Sequence, residues 1–138
     1  MFLGTALICL AANIFFEARG EVIPGQYAVA LVTMNRAGGD PKDVCREVLK
    51  PKQFSWTSLY VQRHQGTYSV KQQYVMKDEE SWARAKAIAR VVLTGKFPDI
   101  TNGSTYYHTR AVHPSWSKSY TYRKTIGNHR FFADLNQS

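Results

Sequence analysis

The residue of this chain best suited to acid–base chemistry is Glu17, which lies at the end of an apolar segment. Residues 2–16 carry no charged side chain, so Glu17 is the first ionisable side chain in the sequence. At helical spacing it shares a face with Leu10, Asn13 and Ile14. Such surroundings raise the pKa of a carboxyl group, because desolvation disfavours its charged form. A rise of about two pKa units, or roughly 2.7 kcal/mol, would make Glu17 a general acid near neutral pH.

A second carboxylate, Glu21, follows four residues later and is the candidate partner for Glu17. A retaining glycosidase needs two carboxyl groups about 5–5.5 Å apart. Gly20, however, is expected to end the helix and to leave Glu21 on the outgoing loop. No other acid is a better partner, and most of them lie at predicted helix starts or flank a basic region (Asp40, Asp43, Asp78, Glu79, Glu80, Asp99, Asp134). A mechanism that needs one carboxyl group therefore fits better than one that needs two.

The histidines and cysteines do not form a recognisable metal motif. His108 and His113 lie five residues apart in a segment without helical character, and no His-Glu-x-x-His pattern occurs. The remaining histidines are His64 and His129. We therefore expect no metal and no cofactor. The two cysteines, Cys9 and Cys45, lie on apolar helix faces and are expected as buried thiols, with a disulfide as the open alternative.

The charge balance predicts an anionic partner. The 138 residues contain 18 Lys and Arg against 10 Asp and Glu, a formal net charge of +8. Nucleic acid, an anionic membrane surface and an anionic wall polymer are the candidates. No acid lies between Asp99 and Asp134, and there aromatic rings alternate with basic side chains. That pattern suits single-stranded nucleic acid through base stacking, and it equally suits a glycan groove with aromatic walls.

The hydrophobic pattern predicts a helix-dominated α+β fold in a single domain of residues 1–138, with a small β-element in the C-terminal third. The apolar segment 2–16 is expected as a buried core helix, because it is short for a membrane span and no basic residue precedes it. Residues 50–75 are expected to be an irregular segment and a long loop. The predicted elements are helices from about Gly4 to Ala18, from Pro24 to Gly38, a short one after Asp40 and one from Asp78 to Gly95, followed by strands near residues 105–108 and 125–132.

Several short strings, in order along residues 8–133, match one known family. They are FEARGE (16–21), GQYAVA (25–30), MNR (34–36), QFSW (53–56), TG (94–95), YY (106–107), Trp116 and GNHRFF (127–132). With these strings the chain resembles the SleB-type cell wall hydrolase family, which includes spore cortex-lytic enzymes and related phage lysins. The resemblance implies a lysozyme-like catalytic domain that cuts peptidoglycan between N-acetylmuramic acid and N-acetylglucosamine. It also implies a single catalytic glutamate, at the position of Glu17.

We assign the substrate contacts on the same basis to Gln53, Phe54, Tyr107 and His129. The chain departs from the family at His108-Thr109-Arg110, where an asparagine is common, and in the basic insert 113–124. No separate wall-binding domain is expected. A basic single-domain form resembles a phage endolysin, a monomer that waits in the host cytoplasm and then acts on the wall, free or attached to a virion.

Three other functions remain open at this point. The enzyme could be a muramidase that uses ordinary hydrolysis, or an N-acetylmuramoyl-L-alanine amidase. A member of another class, a non-enzymatic basic protein that binds nucleic acid or wall polymer, would share the charge pattern. Such a binder has no use for a buried carboxylic acid, so the surroundings of Glu17 discriminate between the classes.

Overall fold

The computed structural model describes residues 1–135. Its helices are α1 (Ala6–Ala18), α2 (Ile23–Arg36), α3 (Val44–Leu49), α4 (Ser55–Tyr60), α5 (Gln73–Met76) and α6 (Glu79–Leu93). Its strands are β1 (Val61–His64), β2 (Thr67–Val70), β3 (Tyr106–Thr109), β4 (Thr121–Ile126) and β5 (His129–Ala133). The predicted α+β, helix-dominated fold is confirmed.

Helix α1 lies at the centre of the hydrophobic core and carries the end of the apolar segment. It starts at an N-cap, Thr5, whose side chain accepts a hydrogen bond from the backbone N–H of Ile8. Leu10, Ile14 and Phe15 are fully buried, and the helix packs against α2, α3 and α6. The prediction of a buried core helix is confirmed. None of the helices within residues 1–135 is long and apolar enough to span a membrane.

A buried polar network fixes α1 against its neighbours. The Asn13 side chain donates to Thr33 Oγ1 on α2 (3.1 Å) and accepts from Trp56 Nε1 on α4 (2.9 Å). Each partner is buried, so an unpaired group here would cost about 1–3 kcal/mol. Phe16 stacks on Trp56 with a centroid distance of 4.8 Å. These contacts hold the last turn of α1, and therefore Glu17, in one position.

The expected long loop within residues 50–75 is wrong, because this segment contains α4, a β1–β2 hairpin and α5. The hairpin pairs Val61 with Val70 and closes at Gln65-Gly66, both with positive φ (48° and 81°). Two positive φ values are typical of the type I′ turn that suits a tight hairpin. The sequence signal is weak because glutamine replaces the usual asparagine or aspartate.

The C-terminal sheet has three antiparallel strands in the order β3-β5-β4, where the sequence predicts two. Strand β4 was missed because most of its residues are exposed, which removes the alternation that marks a half-buried strand. Its pairing with β5 also shifts between Tyr122 and Lys124. The turn between β4 and β5 contains Gly127, whose φ of 58° favours glycine.

The prediction of two buried thiols is also wrong, because Cys9 and Cys45 form a disulfide that joins α1 to α3. Helical periodicity places each cysteine on an apolar face, but it does not show that the two faces meet. The bond closes a loop of 36 residues in sequence separation. A disulfide that closes a loop of this size stabilises the fold by roughly 3–4 kcal/mol, because it restricts the unfolded chain.

Candidate active site

A cleft of about 250 Å³ opens where the end of α1 meets the loop before α4 and the edge strand β3. Helix α2 contributes its last residue to the floor. The cleft is lined by two cationic side chains, one acid, one amide and four aromatic rings: Arg36, Lys52, Glu17, Gln53, Phe54, Tyr106, Tyr107 and Trp116. Among the residues that the structure describes, Glu17 is the only acid in this lining. The cleft thus combines one carboxyl group with aromatic and cationic walls.

Glu17 is half-buried in this cleft and is held by one hydrogen bond. The Tyr107 hydroxyl donates to Glu17 Oε1 at 2.7 Å. Burial raises the pKa of Glu17 above its ordinary value, and the Tyr107 hydrogen bond offsets part of that rise. The pKa of Glu17 is therefore shifted in the predicted direction, which suits a carboxyl group that acts as a general acid.

Tyr107 remains a hydrogen-bond donor throughout the useful pH range. Burial, followed by the negative charge of Glu17, raises its pKa well above the ordinary value for tyrosine. The hydroxyl therefore keeps its proton while Glu17 titrates. A neutral hydroxyl that donates a hydrogen bond to Glu17 stabilises the carboxylate that forms after proton transfer.

Arg36 forms the floor of the cleft, and the sequence did not predict it as a site residue. Its side chain is 9% exposed, and one terminal nitrogen donates to Gln53 Oε1 at 2.7 Å. Its guanidinium carbon lies 4.5 Å from the centre of the Tyr106 ring, within cation–π range. The only sequence signal for Arg36 was its place in the family string MNR.

The far wall is aromatic and comes from β3 and the basic insert. Tyr106 stacks on Tyr120 (4.5 Å between centroids) and contacts Trp116 (5.4 Å). Trp116 lies in a 3-10 segment, Ser115–Lys118. The insert 113–124 therefore contributes Trp116 to the cleft. Tyr106 and Trp116 lie in the family strings but were not predicted as site residues, and Lys52 had no sequence signal, because only tertiary packing brings the loop, the strand and the insert together.

The structure places three of the four predicted substrate contacts, Gln53, Phe54 and Tyr107, beside Glu17 in the cleft. The fourth, His129, is buried and does not line it. Its ring packs edge-on against Tyr107 at a centroid distance of 5.1 Å. His129 points to the core side of the sheet, so we replace the expected sugar contact with a supporting position behind Tyr107.

Glu21 also does not line the cleft, and its side chain binds the turn between β4 and β5. Its Oε1 accepts a hydrogen bond from the backbone N–H of Asn128 (2.9 Å). The same oxygen lies 3.4 Å from His129 Nδ1, a contact too poorly directed to count as a hydrogen bond. Burial lowers the pKa of His129 below its ordinary value, so this contact joins a carboxylate to a neutral ring near pH 7.

Asp99, in the loop between α6 and β3, fixes the C-terminal end of α2. Asp99 accepts hydrogen bonds from the Asn35 side chain, from Thr101 and from the backbone N–H of Gly103. Burial alone would raise the pKa of Asp99, but these hydrogen bonds outweigh it and lower the pKa below its ordinary value. The Asn35 side chain also donates to the Ser104 carbonyl, which joins α2 to the segment before β3. Arg36, the next residue, is thereby positioned against Tyr106.

No set of three or more His, Cys, Asp or Glu side chains within residues 1–135 is arranged to hold a metal ion. His108 and His113 have ring centroids 6.4 Å apart, and His108 stacks on Phe132. The histidines of this region thus contribute to an aromatic cluster. The described residues offer acid–base chemistry through Glu17, supported by Tyr107.

A helical domain with one half-buried carboxylic acid in an aromatic, cationic cleft has the side chains that an enzyme needs to cleave glycans. The acid can protonate a glycosidic oxygen, and the rings can stack on sugar faces. Comparisons with known proteins narrow this class.

The family model described as Cell Wall Hydrolase matches residues 20–132, a range that begins three residues after Glu17. No curated protein matches the chain in sequence. Among solved structures, the chain is similar to the catalytic domain of the germination-specific lytic transglycosylase SleB from Bacillus anthracis, with 22% identity and a TM-score of 0.63 over 92% of this chain and 93% of that one. It is also similar to the catalytic domain of the Bacillus cereus SleB protein, with 25% identity and a TM-score of 0.61 over 92% of this chain and 89% of that one.

The chain therefore belongs to the cell wall hydrolase family. It is an enzyme that degrades peptidoglycan, as the predicted resemblance implied. The structural matches confirm the predicted fold, that of the SleB catalytic domains.

Proposed function

We propose that this protein cleaves peptidoglycan between N-acetylmuramic acid and N-acetylglucosamine as a lytic transglycosylase, with Glu17 as its acid and base. The observation that carries the proposal is the position of Glu17, half-buried beside the Tyr107 hydroxyl in a cleft whose described lining contains no second acid. Lytic transglycosylases resemble this arrangement in using one glutamate. The proposal is also supported by the similarity to a solved domain that is itself described as a lytic transglycosylase.

In the first step, protonated Glu17 donates its proton to the glycosidic oxygen. The bond between that oxygen and C1 of N-acetylmuramic acid breaks, and N-acetylglucosamine leaves with a free 4-hydroxyl group. The 2-acetamido oxygen of the substrate stabilises the positive charge that develops at C1, a recognised departure from the two-carboxylate scheme. The raised pKa of Glu17 suits this step, because burial favours the protonated form of the acid.

In the second step, the Glu17 carboxylate takes the proton from the 6-hydroxyl group of the same sugar. The 6-oxygen bonds to C1 and closes a 1,6-anhydro ring, which returns Glu17 to its protonated form. Tyr107 donates its hydrogen bond to the carboxylate between the two steps. If water took the place of the 6-hydroxyl group, the same residues would give a muramidase.

We further propose that the protein acts as a phage endolysin. It would be a monomer that is made in the host cytoplasm and reaches the wall after release. The net charge of +8 supports an electrostatic contact with the anionic cell envelope. The Cys9–Cys45 disulfide supports action outside the reducing cytoplasm.

Digestion of purified peptidoglycan, followed by mass spectrometry of the released fragments, tests the proposed reaction. The expected products carry 1,6-anhydro-N-acetylmuramic acid ends, which are lighter than reducing ends by one water. Reducing muramic acid ends would indicate a muramidase, and released stem peptides would indicate an amidase. Salt-sensitive binding without any released fragment would indicate a non-enzymatic binder.

A further inference from the structure

We propose that Arg36 and Lys52 form a carboxylate-binding subsite for the peptide stem of the muramic acid residue that is being cleaved. This inference rests on the proposed function, because it assigns a substrate group to the cleft of Glu17. Both residues line that cleft.

Arg36 is a buried cation whose hydrogen bonds are largely unused. Its side chain is 9% exposed, and its Nε makes no hydrogen bond. Glu47 forms an ion pair with Arg36 at 3.9 Å from Nε, a distance too long for a hydrogen bond, and lies equally far (3.9 Å) from Lys50 Nζ. Of the five N–H groups of the guanidinium, one is paired, with Gln53. The other terminal N–H groups of Arg36 therefore remain free to donate hydrogen bonds to an incoming carboxylate.

The geometry of Arg36 is suited to a carboxylate. Its guanidinium lies over the Tyr106 ring and is bound to Gln53 on one side. These two contacts fix the orientation of the planar group before any substrate arrives. A fixed guanidinium can bind both oxygens of a carboxylate at once, which a lysine cannot do.

The charge of the cleft points to the stem peptide as the ligand. When Glu17 holds its proton, the lining has two cationic side chains, Arg36 and Lys52, and no anion. The glycan strand itself is uncharged where the lactyl group of muramic acid is linked to a peptide by an amide bond. The carboxylates of the substrate are therefore those of the stem, which is attached to the same muramic acid residue whose glycosidic bond is cleaved.

The subsite predicts a preference for stems with free carboxylates over stems with amidated ones. The test compares two preparations of the same peptidoglycan, one native and one whose carboxyl groups have been converted to amides with a carbodiimide and ammonia. We expect the unmodified enzyme to cleave the native preparation about tenfold faster, since hydrogen bonds to charged groups are stronger than neutral ones. Arg36→Gln is expected to cleave both at one similar, lower rate.

Matched variants separate a lost subsite from a damaged cleft or a lost surface charge. Lys96→Gln removes one exposed cation outside the cleft and is expected to keep the full preference. Gln53→Ala removes a contact that orients Arg36 but keeps the charge, and is expected to lower the preference without abolishing it. An unmodified enzyme that cleaves both preparations equally, or an Arg36→Gln variant that keeps the preference, would overturn the subsite.

Binding of inactive protein distinguishes failure of the subsite from failure of the proposed reaction. Glu17→Gln protein is sedimented with each preparation at about 0.15 M salt, where long-range charge effects are screened. We expect more bound protein on the native preparation, and loss of that excess in the Glu17→Gln, Arg36→Gln double variant. Retained carboxylate-dependent binding by an enzyme that releases no glycan fragments would reject the reaction and support the subsite. Equal binding to both preparations would reject the subsite.

Discussion

Tyr107 and Glu17 lie 90 residues apart in sequence, and a 2.7 Å hydrogen bond joins their side chains. This bond links the end of the central helix α1 to the edge strand β3. The bond also limits the rise in the pKa of Glu17 that burial causes. Helix α1 therefore provides the acid, and strand β3 lowers the pKa of that acid through Tyr107.

Tyr107→Phe is expected to move the alkaline limb of the pH–activity profile to higher pH. The substitution removes a donor that stabilises the Glu17 carboxylate, so the pKa of Glu17 rises and the acid keeps its proton to a higher pH. The maximal rate is expected to fall about tenfold or more, because the carboxylate between the two steps loses a charge-assisted hydrogen bond. The measurement is kcat/KM for peptidoglycan from pH 4 to pH 9.

Tyr122→Phe is the control for that experiment, because Tyr122 is exposed and its hydroxyl pairs with Thr125 outside the cleft. It is expected to leave the profile in place. An alkaline limb that moves to lower pH in Tyr107→Phe would contradict the assigned role of Tyr107.

Glu21→Gln tests whether the second carboxylate takes part in the chemistry. Glu21 holds the backbone N–H of Asn128 and lies beside His129. An amide oxygen can accept the same hydrogen bond, so the variant is expected to keep activity within about tenfold and to lose roughly 1 kcal/mol of stability. Thermal melting and the initial rate of peptidoglycan cleavage measure the two effects. Complete inactivation of a folded Glu21→Gln protein would restore the two-carboxylate mechanism.

The disulfide is expected to stabilise the fold without a part in catalysis. Replacement of Cys9 and Cys45 together by alanine should lower the free energy of unfolding by roughly 3–4 kcal/mol. The disulfide links residues 36 apart in sequence, and without it the unfolded chain regains conformational entropy. Activity below the lowered melting temperature should persist. Chemical denaturation with and without a reducing agent gives the measurement. An unmodified protein whose stability does not respond to reduction would show that the bond does not stabilise it.

The sequence predicted the elements that have strong periodicity and clear ends. Helix α6 begins after Asp78, whose side chain accepts from the N–H of Ser81, and ends just before Gly95, as capping rules indicate. Helix α1 was predicted because a charge-free stretch of that length suits a core helix. Glu17 was predicted by the same reasoning, because the first carboxyl group after a charge-free core helix is expected to be desolvated.

What the sequence could not show depends on which surfaces meet in three dimensions. Strand β4 is exposed and lacks alternation, and the β1–β2 hairpin turns at an unusual Gln65-Gly66 pair. The disulfide and the cleft floor at Arg36 result from contacts between distant segments. His129 was assigned as a substrate contact from its place in the family string GNHRFF, but its ring is buried on strand β5, which pairs with β3.

The most direct test of the account is the activity of Glu17→Gln, with Glu79→Gln as the control at an exposed helix start. The change keeps the shape of the side chain and removes the titrating proton. It should not weaken the fold at pH 7. The raised pKa of Glu17 means that folding favours its uncharged form, so stability falls as pH rises through that pKa, and the uncharged glutamine removes this loss. We predict a folded Glu17→Gln protein whose release of 1,6-anhydro fragments falls by about 10³-fold or more, with Glu79→Gln unchanged. Near-normal release by folded Glu17→Gln would contradict the account.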